Sequence, residues 1–398
     1  MKIGYALTQY WPAVGGAAIH TRHLAQLMAR HHDVKVVAQL NGNSEDPYSA
    51  SMNPATNSHV YRDGSIHVNL AAPYHAEASL LKLCKAMTGS TSMKSKGLSL
   101  YRWLLGKKLR MYLSDRDIIH CVNATMEHLM VSATRCAREL KCPFVLTPLF
   151  HPDDSVAREA LKEPLRVADA IIAQTEVERE ELAKIGTPQE KIHVLSAGPV
   201  ISDDADPAWF RTKYGIRGYM VLFLGLKEKP KGYHLILQAA PKVWREFPET
   251  RFVFAGPSTG ESARSFGDLQ DKRVVEIGEL DPWSKEKASA LAACDIFCMP
   301  SAPECSGVVF LEAWSFGKPV IAADIPTERE FVDDGTDGLL VRRNADDIAR
   351  SLVLLLRNDE LRLRMGSAGR QKVRKRFSWE RVVRSLNQIY QEVVKSKQ

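Results

Sequence analysis

Two glutamates eight positions apart stand in the stretch Pro300–Pro319, which reads PSAPECSGVVFLEAWSFGKP. Glu304 lies among small residues typical of a loop, and Glu312 lies in the second turn of the helix-like run that follows. A carboxylate accepts hydrogen bonds from sugar hydroxyls, and the N-terminus of a helix between the two offers unpaired N–H groups to an anion. The layout fits a ligand with hydroxyls on both sides of a phosphate, such as a nucleotide sugar.

Two other interpretations of this pair stay open on spacing alone. Paired carboxylates act as acid and nucleophile or base in glycoside hydrolysis, at separations of about 5 Å or about 6.5–9.5 Å. Distance along the sequence does not fix distance in space, so a hydrolytic pair is one alternative. The other is an ordinary strand, turn and helix whose acids are only solvated.

Two glycine-containing turns could bring backbone close to such a ligand. Gly15 and Gly16 follow the strand-like run KIGYAL and precede a helical pattern, and the loop GLKEKPKG from Gly225 follows the strand-like run YMVLFL. Glycine permits close approach, and Lys227 and Lys231 beside a helix N-terminus suit a diphosphate. The alternatives are glycines that serve packing and lysines that are merely solvated.

His151 follows the predicted strand PFVLTP. Ligands of open α/β sheets bind beyond the carboxyl ends of the strands, so this position predicts a ligand-facing histidine. A surface histidine without a function is the alternative.

Composition places the chain among ordinary globular proteins. It has 398 residues, 45% of them hydrophobic and 25% charged, which suits two domains. We find no apolar run long enough for a transmembrane helix and no secretory signal, and the seven scattered cysteines indicate free thiols in a reducing cytoplasm. The net charge of +7 is compatible with anionic ligands or membrane surfaces and does not call for nucleic acid.

The order of predicted elements is α/β in two successive halves, each with a glycine turn after its first strand. The acid-rich run Ser202–Pro207 marks the boundary between them. We expect an N-terminal domain over residues 1–201 and a C-terminal domain over residues 202–378. A ligand between two such halves is the natural geometry, since clefts form at domain interfaces.

Residues 80–116 form an unusual basic stretch. It holds nine Lys or Arg against one acid, together with aromatic and leucine side chains. Such a stretch can lie on an anionic membrane surface. A core helix with a solvated basic face is the alternative.

The motif around the two glutamates resembles the E-x7-E signature of family-4 retaining glycosyltransferases of the GT-B fold, PS-x-x-E-x-F-G-x-x-x-x-E-A. Pro300-Ser301, Glu304, Gly307 and Glu312-Ala313 stand in that register. Gly15-Gly16 with His20, PFVLTPLFHP, IHVLSAGP, Gly225 with Lys231-Gly232, and the FSWE run at Phe377 resemble further parts of the family pattern. The resemblance covers nearly the whole chain.

This resemblance implies two Rossmann-like domains that face each other across a cleft, with the C-terminal helix at 379–398 packing back on the first, acceptor-side domain. The second domain would bind the donor. Glu304 would contact the donor sugar and place its anomeric carbon, with His151 touching the same sugar, and both are candidate catalytic residues. Glu312 would bind the ribose hydroxyls.

The remaining donor-binding roles also follow from the resemblance. Backbone N–H groups around Gly307, Val308 and Val309, together with Lys231, would hold the diphosphate. Gly15 and Gly16 would let the first domain approach the donor and the acceptor.

Three departures from the family pattern concern donor choice or activity. Leu226 stands where arginine is expected after Gly225, with Lys227 adjacent as a replacement charge that lacks arginine's planar fork. Ser306, between the two glutamates, replaces the usual Phe, and we expect it to influence donor preference. Ala18 stands where many members have Glu.

The sequence therefore predicts a retaining glycosyltransferase of the hexosyltransferase type. It would move a sugar from a UDP- or GDP-linked donor to a hydroxyl acceptor in glycan, glycolipid or glycosylated-metabolite biosynthesis. A GT-B isomerase or hydrolase of a nucleotide sugar and a non-catalytic sugar-nucleotide-binding protein are the alternatives. The base, the sugar, the acceptor and the oligomeric state do not follow from the sequence.

We further expect no metal and no cofactor besides the nucleotide sugar, because the predicted site holds no DxD-type motif. The protein is expected to be cytoplasmic, with residues 80–116 in peripheral contact with the inner face of an anionic membrane. A lipid-linked acceptor would suit that location, and no nucleic acid is expected as a partner.

Overall fold

The computed structural model describes residues 1–13, 15–40, 60–71, 77–88, 92–122, 127–150, 155–269, 271–302 and 306–397. The chain divides into two compact units, one formed by Met1–Ser196 with Val382–Gln398 and the other by Ala197–Arg381. We expected the boundary after residue 201, but residues 197–201 lie in the second unit. These residues belong to the second unit because Val200 is hydrogen-bonded there to Glu312 and Lys287.

The first unit is built on a sheet whose strands are parallel, apart from the antiparallel pair β3–β4. The strand order is β3-β4-β2-β1-β5-β6-β7-β8. Its strands are β1 (Lys2–Gln9), β2 (Asp33–Leu40), β3 (Val60–Asp63), β4 (Ile66–Leu70), β5 (Ile118–Val122), β6 (Phe144–Thr147), β7 (Ala170–Ala173) and β8 (Ile192–Val194).

Helices cover both faces of this sheet, so its inner strands are apolar on both sides. In β1, Tyr5 and Leu7 join one apolar layer and Ala6 joins the opposite one. The helices are α1 (Gly16–Met28), α2 (Ala78–Thr88), α3 (Lys94–Leu113), α4 (Glu127–Leu140), α5 (Ser155–Val167) and α6 (Glu176–Lys184).

The second unit contains an all-parallel sheet in the order β11-β10-β9-β12-β13-β14. Its strands are β9 (Met220–Leu224), β10 (Arg251–Ala255), β11 (Val274–Ile277), β12 (Ile296–Met299), β13 (Val320–Ala323) and β14 (Gly338–Val341). Its helices are α7 (Pro207–Lys213), α8 (Tyr233–Val243), α9 (Gly260–Gly267), α10 (Lys285–Ala293), α11 (Val308–Ser315), α12 (Pro326–Arg329), α13 (Ala345–Arg357) and α14 (Asp359–Arg376).

The order of strands reverses between β9 and β12, which lie side by side. In open parallel sheets the crevice at such a switch point, outside the carboxyl ends of the strands, is where ligands bind. The loop that starts at Gly225 and the loop that starts at Pro300 follow these two strands. The fold therefore brings the two predicted donor loops of this unit to one place.

The last helix, α15 (Trp379–Ser396), starts in the second unit and ends in the first. Leu386, Ile389 and Tyr390 pack into the apolar layer of the first sheet, and the Tyr390 hydroxyl is hydrogen-bonded to Nδ1 of His120 at 2.5 Å. None of the described helices has the length and apolar character needed to cross a bilayer.

Helix α11 is fixed by close contact with α14. The Trp314 side chain is fully buried, and its indole N–H donates to the Asp337 carbonyl at 2.8 Å. It lies directly against Gly369, where an added Cβ would stand 2.0 Å from Cδ1 of Trp314. Gly366 similarly meets the carbonyl oxygen of Gly317. Because Gly366 and Gly369 carry no side chain, α14 approaches α11 closely, and this contact sets the position of α11.

We expect Gly369→Ala to lower the free energy of unfolding by about 1–3 kcal/mol, because the added methyl overpacks Trp314. Urea unfolding measures the change. Gly106→Ala in α3 is the matched control, since no heavy atom lies within 4 Å of its added Cβ. There the better helix former should raise stability by about 0.5–1 kcal/mol. A Gly369→Ala protein as stable as the wild type would contradict the packing argument.

Candidate functional site

The N-terminus of α11 is open to an anion. Gly307 is the N-cap residue, no side chain caps the helix, and its first turn contains no acid. Within the described residues, nothing accepts a hydrogen bond from the N–H groups of Val308 and Val309. Gly307 lies against Phe331, with an added Cβ 2.8 Å from that ring, so the turn has little room to shift. The partial positive charge of the helix therefore faces the switch point.

The loop after β9 lies against the loop after β10, and backbone contacts join the two. The Gly225 N–H donates to the Ala255 carbonyl, and an added Cβ on Gly256 would meet the Gly225 oxygen at 2.1 Å. The next residue, Leu226, is exposed. Gly225 thus follows β9 as predicted, and its backbone lies against that of Gly256.

Lys227 has a different role from the predicted contact with the donor. Its backbone extends the sheet by a bridge to Ser258, which turns the side chain inward. The fully buried ammonium donates to the Ile277 carbonyl at 2.9 Å and pairs with Glu276 at 2.9 Å. The structure assigns Lys227 to holding the loop on β11, and this position does not replace the charge of the missing arginine.

Lys231 ends a 3-10 turn, Lys229–Lys231, directly before α8. Gly232 follows with φ of 80°, and an added Cβ there would lie 2.6 Å from the Pro300 oxygen. The Ala302 N–H donates to the Pro230 carbonyl at 2.8 Å. The lysine loop and the loop that leads to α11 are therefore joined by backbone contacts, and Lys231, half-buried, stands at their junction.

Glu312 is buried beside the start of the second unit. Its Oε1 accepts from the Lys287 ammonium at 2.6 Å and lies 3.4 Å from the Val200 N–H. Lys287 also donates to the Val200 carbonyl at 3.0 Å. No described residue bonds Oε2 of Glu312, so this oxygen can accept a ligand hydroxyl. Lys287 was not predicted, because a lysine in a polar helix carries no signal of burial.

Glu304 and His151 lie outside the described residues. Their described neighbours are Ala302 and Ser306 for the first, both half-buried, and Phe150 for the second. The Phe150 N–H donates to the buried carboxylate of Glu178 at 2.8 Å, and the Gln174 N–H donates to the same carboxylate at 2.7 Å. Glu178, which the sequence did not single out, joins the ends of β6 and β7 immediately before His151.

Gly15 and Gly16 begin α1 in the first unit. Gly15 is the N-cap residue, and among the described residues no side chain caps the helix and no heavy atom lies within 4 Å of an added Cβ at either glycine. Nδ1 of His20 is bonded to the Gly16 carbonyl at 2.7 Å. This turn offers open space and a helix N-terminus, as a backbone approach to a ligand requires.

A buried carboxylate stabilises the chain that leads into this turn. Asp63 accepts both Nε and Nη2 of Arg22 at 2.8 Å and the Tyr10 hydroxyl at 3.0 Å. The Arg22 guanidinium stacks on the Trp11 ring, 4.5 Å from its centroid. Burial, followed by the charge of Asp63, raises the pKa of Tyr10. Residues 10 and 11 are thereby held at the carboxyl end of β1.

His234 lies in the first turn of α8, beside the lysine loop. Burial lowers the pKa of its imidazole, and the charges of Arg343 and Lys229 lower it further. The lowered pKa favours the neutral form of this imidazole beside the lysine loop. In the described part of the chain, no three His, Cys, Asp or Glu side chains are grouped as a metal site would need.

Comparison with known families finds two matches, one in each unit. The first is to the family described as glycosyl transferase 4-like domain, over residues 15–198, and the second is to glycosyl transferases group 1, over residues 211–372. The phosphatidyl-myo-inositol mannosyltransferase of Mycobacterium leprae is 27% identical over 100% of this chain and 98% of that protein. The D-inositol 3-phosphate glycosyltransferase of Corynebacterium kroppenstedtii is 29% identical over 57% of this chain and 54% of that protein.

Solved structures share the fold over the full length. The Anabaena protein HepE, in complex with UDP and glucose, matches 98% of this chain and 100% of its own with a TM-score of 0.74 at 17% identity. Sucrose-phosphate synthase of Thermosynechococcus elongatus matches 100% of both chains with the same TM-score and identity. These matches confirm the predicted fold class. The matches in both units identify the chain as a glycosyltransferase of the family-4 type, and the solved structures show the GT-B fold.

Proposed function

We propose that this glycosyltransferase moves a hexose from a UDP- or GDP-linked donor to a hydroxyl acceptor, with retention of the anomeric configuration. The observation that carries the proposal is the open N-terminus of α11, with the Lys231 loop beside it and Glu312 in its second turn. Phosphate, sugar and ribose are the three groups that such an arrangement suits. The structures with UDP in related folds support a nucleoside diphosphate as the common ligand.

Each group has a separate task in this proposal. The N–H groups of Val308 and Val309 and the ammonium of Lys231 stabilise charge on the departing diphosphate. Oε2 of Glu312 accepts from a ribose hydroxyl, while Glu304 positions the sugar. The leaving phosphate takes the acceptor's proton during attack on the same face, so the protein contributes orientation and charge stabilisation.

The acceptor we propose is a hydroxyl of an inositol-containing, membrane-borne molecule. Relatives named for phosphatidyl-myo-inositol and for D-inositol 3-phosphate support the chemical class. A surface on α2 and α3 supports the location, because five of the large hydrophobic side chains that are exposed among the described residues lie on it. They are Leu80, Leu83, Met93, Trp103 and Met111.

Seven of the nine basic residues in the stretch 80–116 fall into two groups. Lys108, Arg110 and Arg116 form ion pairs with Glu77, Glu139 and Asp33 at 2.8–3.2 Å. Others are exposed on the same helices as the hydrophobic side chains. They are Lys82, Lys94, Lys96 and Lys107. Lys107 stands 5.3 Å from the centroid of the Trp103 ring. An aromatic ring with nearby lysines suits the interface of an anionic bilayer, so we propose peripheral contact at the cytoplasmic face.

Two glutamine variants separate the roles of the two glutamates. We expect Glu304→Gln to bind the nucleotide normally and to lose about 100- to 1000-fold in transfer rate, because its contact is with the reacting sugar. Glu312→Gln should weaken nucleotide binding about tenfold, since one charged hydrogen bond is lost. Thermal shift with UDP and GDP and a transfer assay with phosphatidylinositol measure both. Glu360→Gln, in the exposed first turn of α14, is the control.

The outcomes distinguish the other two functions. Complete conversion of the donor without acceptor would favour an isomerase or hydrolase. Donor binding without turnover on any of a broad panel of hydroxyl acceptors would favour a sugar-nucleotide-binding protein.

We also propose that transfer requires no divalent metal, because Lys231 and the N-terminus of α11 supply positive charge at the diphosphate. Activity should stay within about twofold of its untreated value in excess chelator. Assays with EDTA, and with EDTA followed by added magnesium or manganese, test this. Loss of transfer that either metal restores would overturn the proposal.

We expect the double variant Trp103→Ala/Lys107→Ala to bind anionic liposomes at least about tenfold more weakly, because an interfacial ring and a charge worth about 1 kcal/mol are removed. Trp209→Ala/Lys213→Ala in the second unit is the matched control, since Lys213 stands 5.0 Å from the centroid of the exposed Trp209 ring. Co-sedimentation at low salt measures both. Equal binding by the two double variants would exclude the α2–α3 surface.

A further inference from the structure

Arg343 joins the two loops of the candidate donor site, although it lies far from both in sequence. It follows β14, at the edge of the sheet, and precedes α13. Its Nε donates to the Pro300 carbonyl at 3.0 Å, and its Nη2 donates to the carbonyls of Pro230 at 3.0 Å and Lys229 at 3.2 Å. One guanidinium thus bonds the backbone of both switch-point loops.

Two backbone contacts among the described residues also join these loops. The Ala302 N–H bonds the Pro230 carbonyl at 2.8 Å, and Gly232 packs on Pro300. Pro230 therefore accepts from both Ala302 and Arg343. The prolines at 230 and 300 have no N–H, so neither can itself donate a hydrogen bond to the other loop, and Arg343 adds donors to the one that Ala302 supplies.

The charge of Arg343 also acts on the electrostatics of the site. Three carbonyl oxygens directed to one point create a negative potential, which would oppose a diphosphate nearby. The guanidinium satisfies these oxygens and adds a positive charge. Arginine suits this task because its donors diverge in a fixed plane, whereas a lysine ammonium is a single point of charge.

We propose that Arg343 is a positioning residue for nucleotide binding. It holds the Lys231 loop and the loop before α11 at the spacing that a diphosphate requires. The identity of the ligand in this inference depends on the proposed function. The joining of the two loops by Arg343 depends only on the hydrogen bonds described above.

The adjacent arginine provides a matched control. Arg342 is exposed, and its guanidinium forms no hydrogen bond or ion pair with the described residues, while its backbone carbonyl accepts from the Asn344 N–H at 2.7 Å. Arg342→Ala removes the same charge from the same segment without touching either loop. Any effect of net charge alone will therefore appear in both alanine variants.

Calorimetric titration of the full chain with UDP and with GDP tests the ligand side. We expect Arg343→Ala to bind the preferred nucleotide about tenfold more weakly, as loss of charge-assisted hydrogen bonds implies. Arg343→Lys should fall between it and the wild type, because charge is kept and the planar fork is lost. Arg342→Ala should stay within about twofold of the wild type.

Amide hydrogen exchange without ligand tests the joining of the loops directly. The Ala302 amide reports on the contact, since its N–H bonds Pro230 across the two loops. Its exchange should accelerate by about tenfold or more in Arg343→Ala and remain unchanged in Arg342→Ala.

The two measurements separate this inference from the proposed function. Failure of the wild type to bind either nucleotide would overturn the proposed donor and leave the exchange of Ala302 to decide the role of Arg343. Unchanged nucleotide affinity or unchanged Ala302 exchange in Arg343→Ala would overturn the inference, as would an equal loss in Arg342→Ala. If Arg343→Ala does not fold, Arg343→Lys decides by the same two measurements.

Discussion

The second unit depends on backbone contacts that have no room for a side chain. At Gly256, Gly232 and Gly366, an added Cβ would stand 1.8–2.6 Å from the carbonyl oxygen of another segment. These contacts join β9 to β10, the lysine loop to Pro300, and α14 to the end of α11. Because they are made by main chain, they fix the loops around the switch point within a narrow range. The direction of α11, and with it the charge at its N-terminus, follows from this packing.

Three cations around the site are bound by the protein itself, the buried Lys227 and Lys287 and the exposed Arg343. Lys227 is paired with Glu276, Lys287 with Glu312, and Arg343 with three carbonyls. A buried ion pair gains little stability once desolvation is included, yet removing one partner is costly. These cations therefore act mainly on geometry. The first turn of α11, whose N–H groups at Val308 and Val309 have no acceptor among the described residues, is best placed to meet an anion.

The sequence predicted the fold class, the strand before Gly225 and the two loops at the switch point, because continuous apolar runs between turns are typical of buried parallel strands. It did not predict β3 and β4, which are short and lie at one edge, nor α14, whose four buried residues include two glycines. Lys227 shows the limit for the site. Spacing placed the residue in the right loop, but the direction of its side chain depends on a bridge to Ser258 that sequence does not reveal.

The first residues of the second unit are bound through their main chain. Glu312 and Lys287 bond the N–H and carbonyl of Val200, and the Trp379 indole donates to the Pro199 carbonyl at 2.7 Å. Because these contacts are made to backbone atoms, they depend on the number of residues in the segment 197–201 more than on which side chains those residues carry. A chimaera that exchanges halves between members of this family would have to keep the length of residues 197–201. One inserted residue there would present a different peptide group to Glu312.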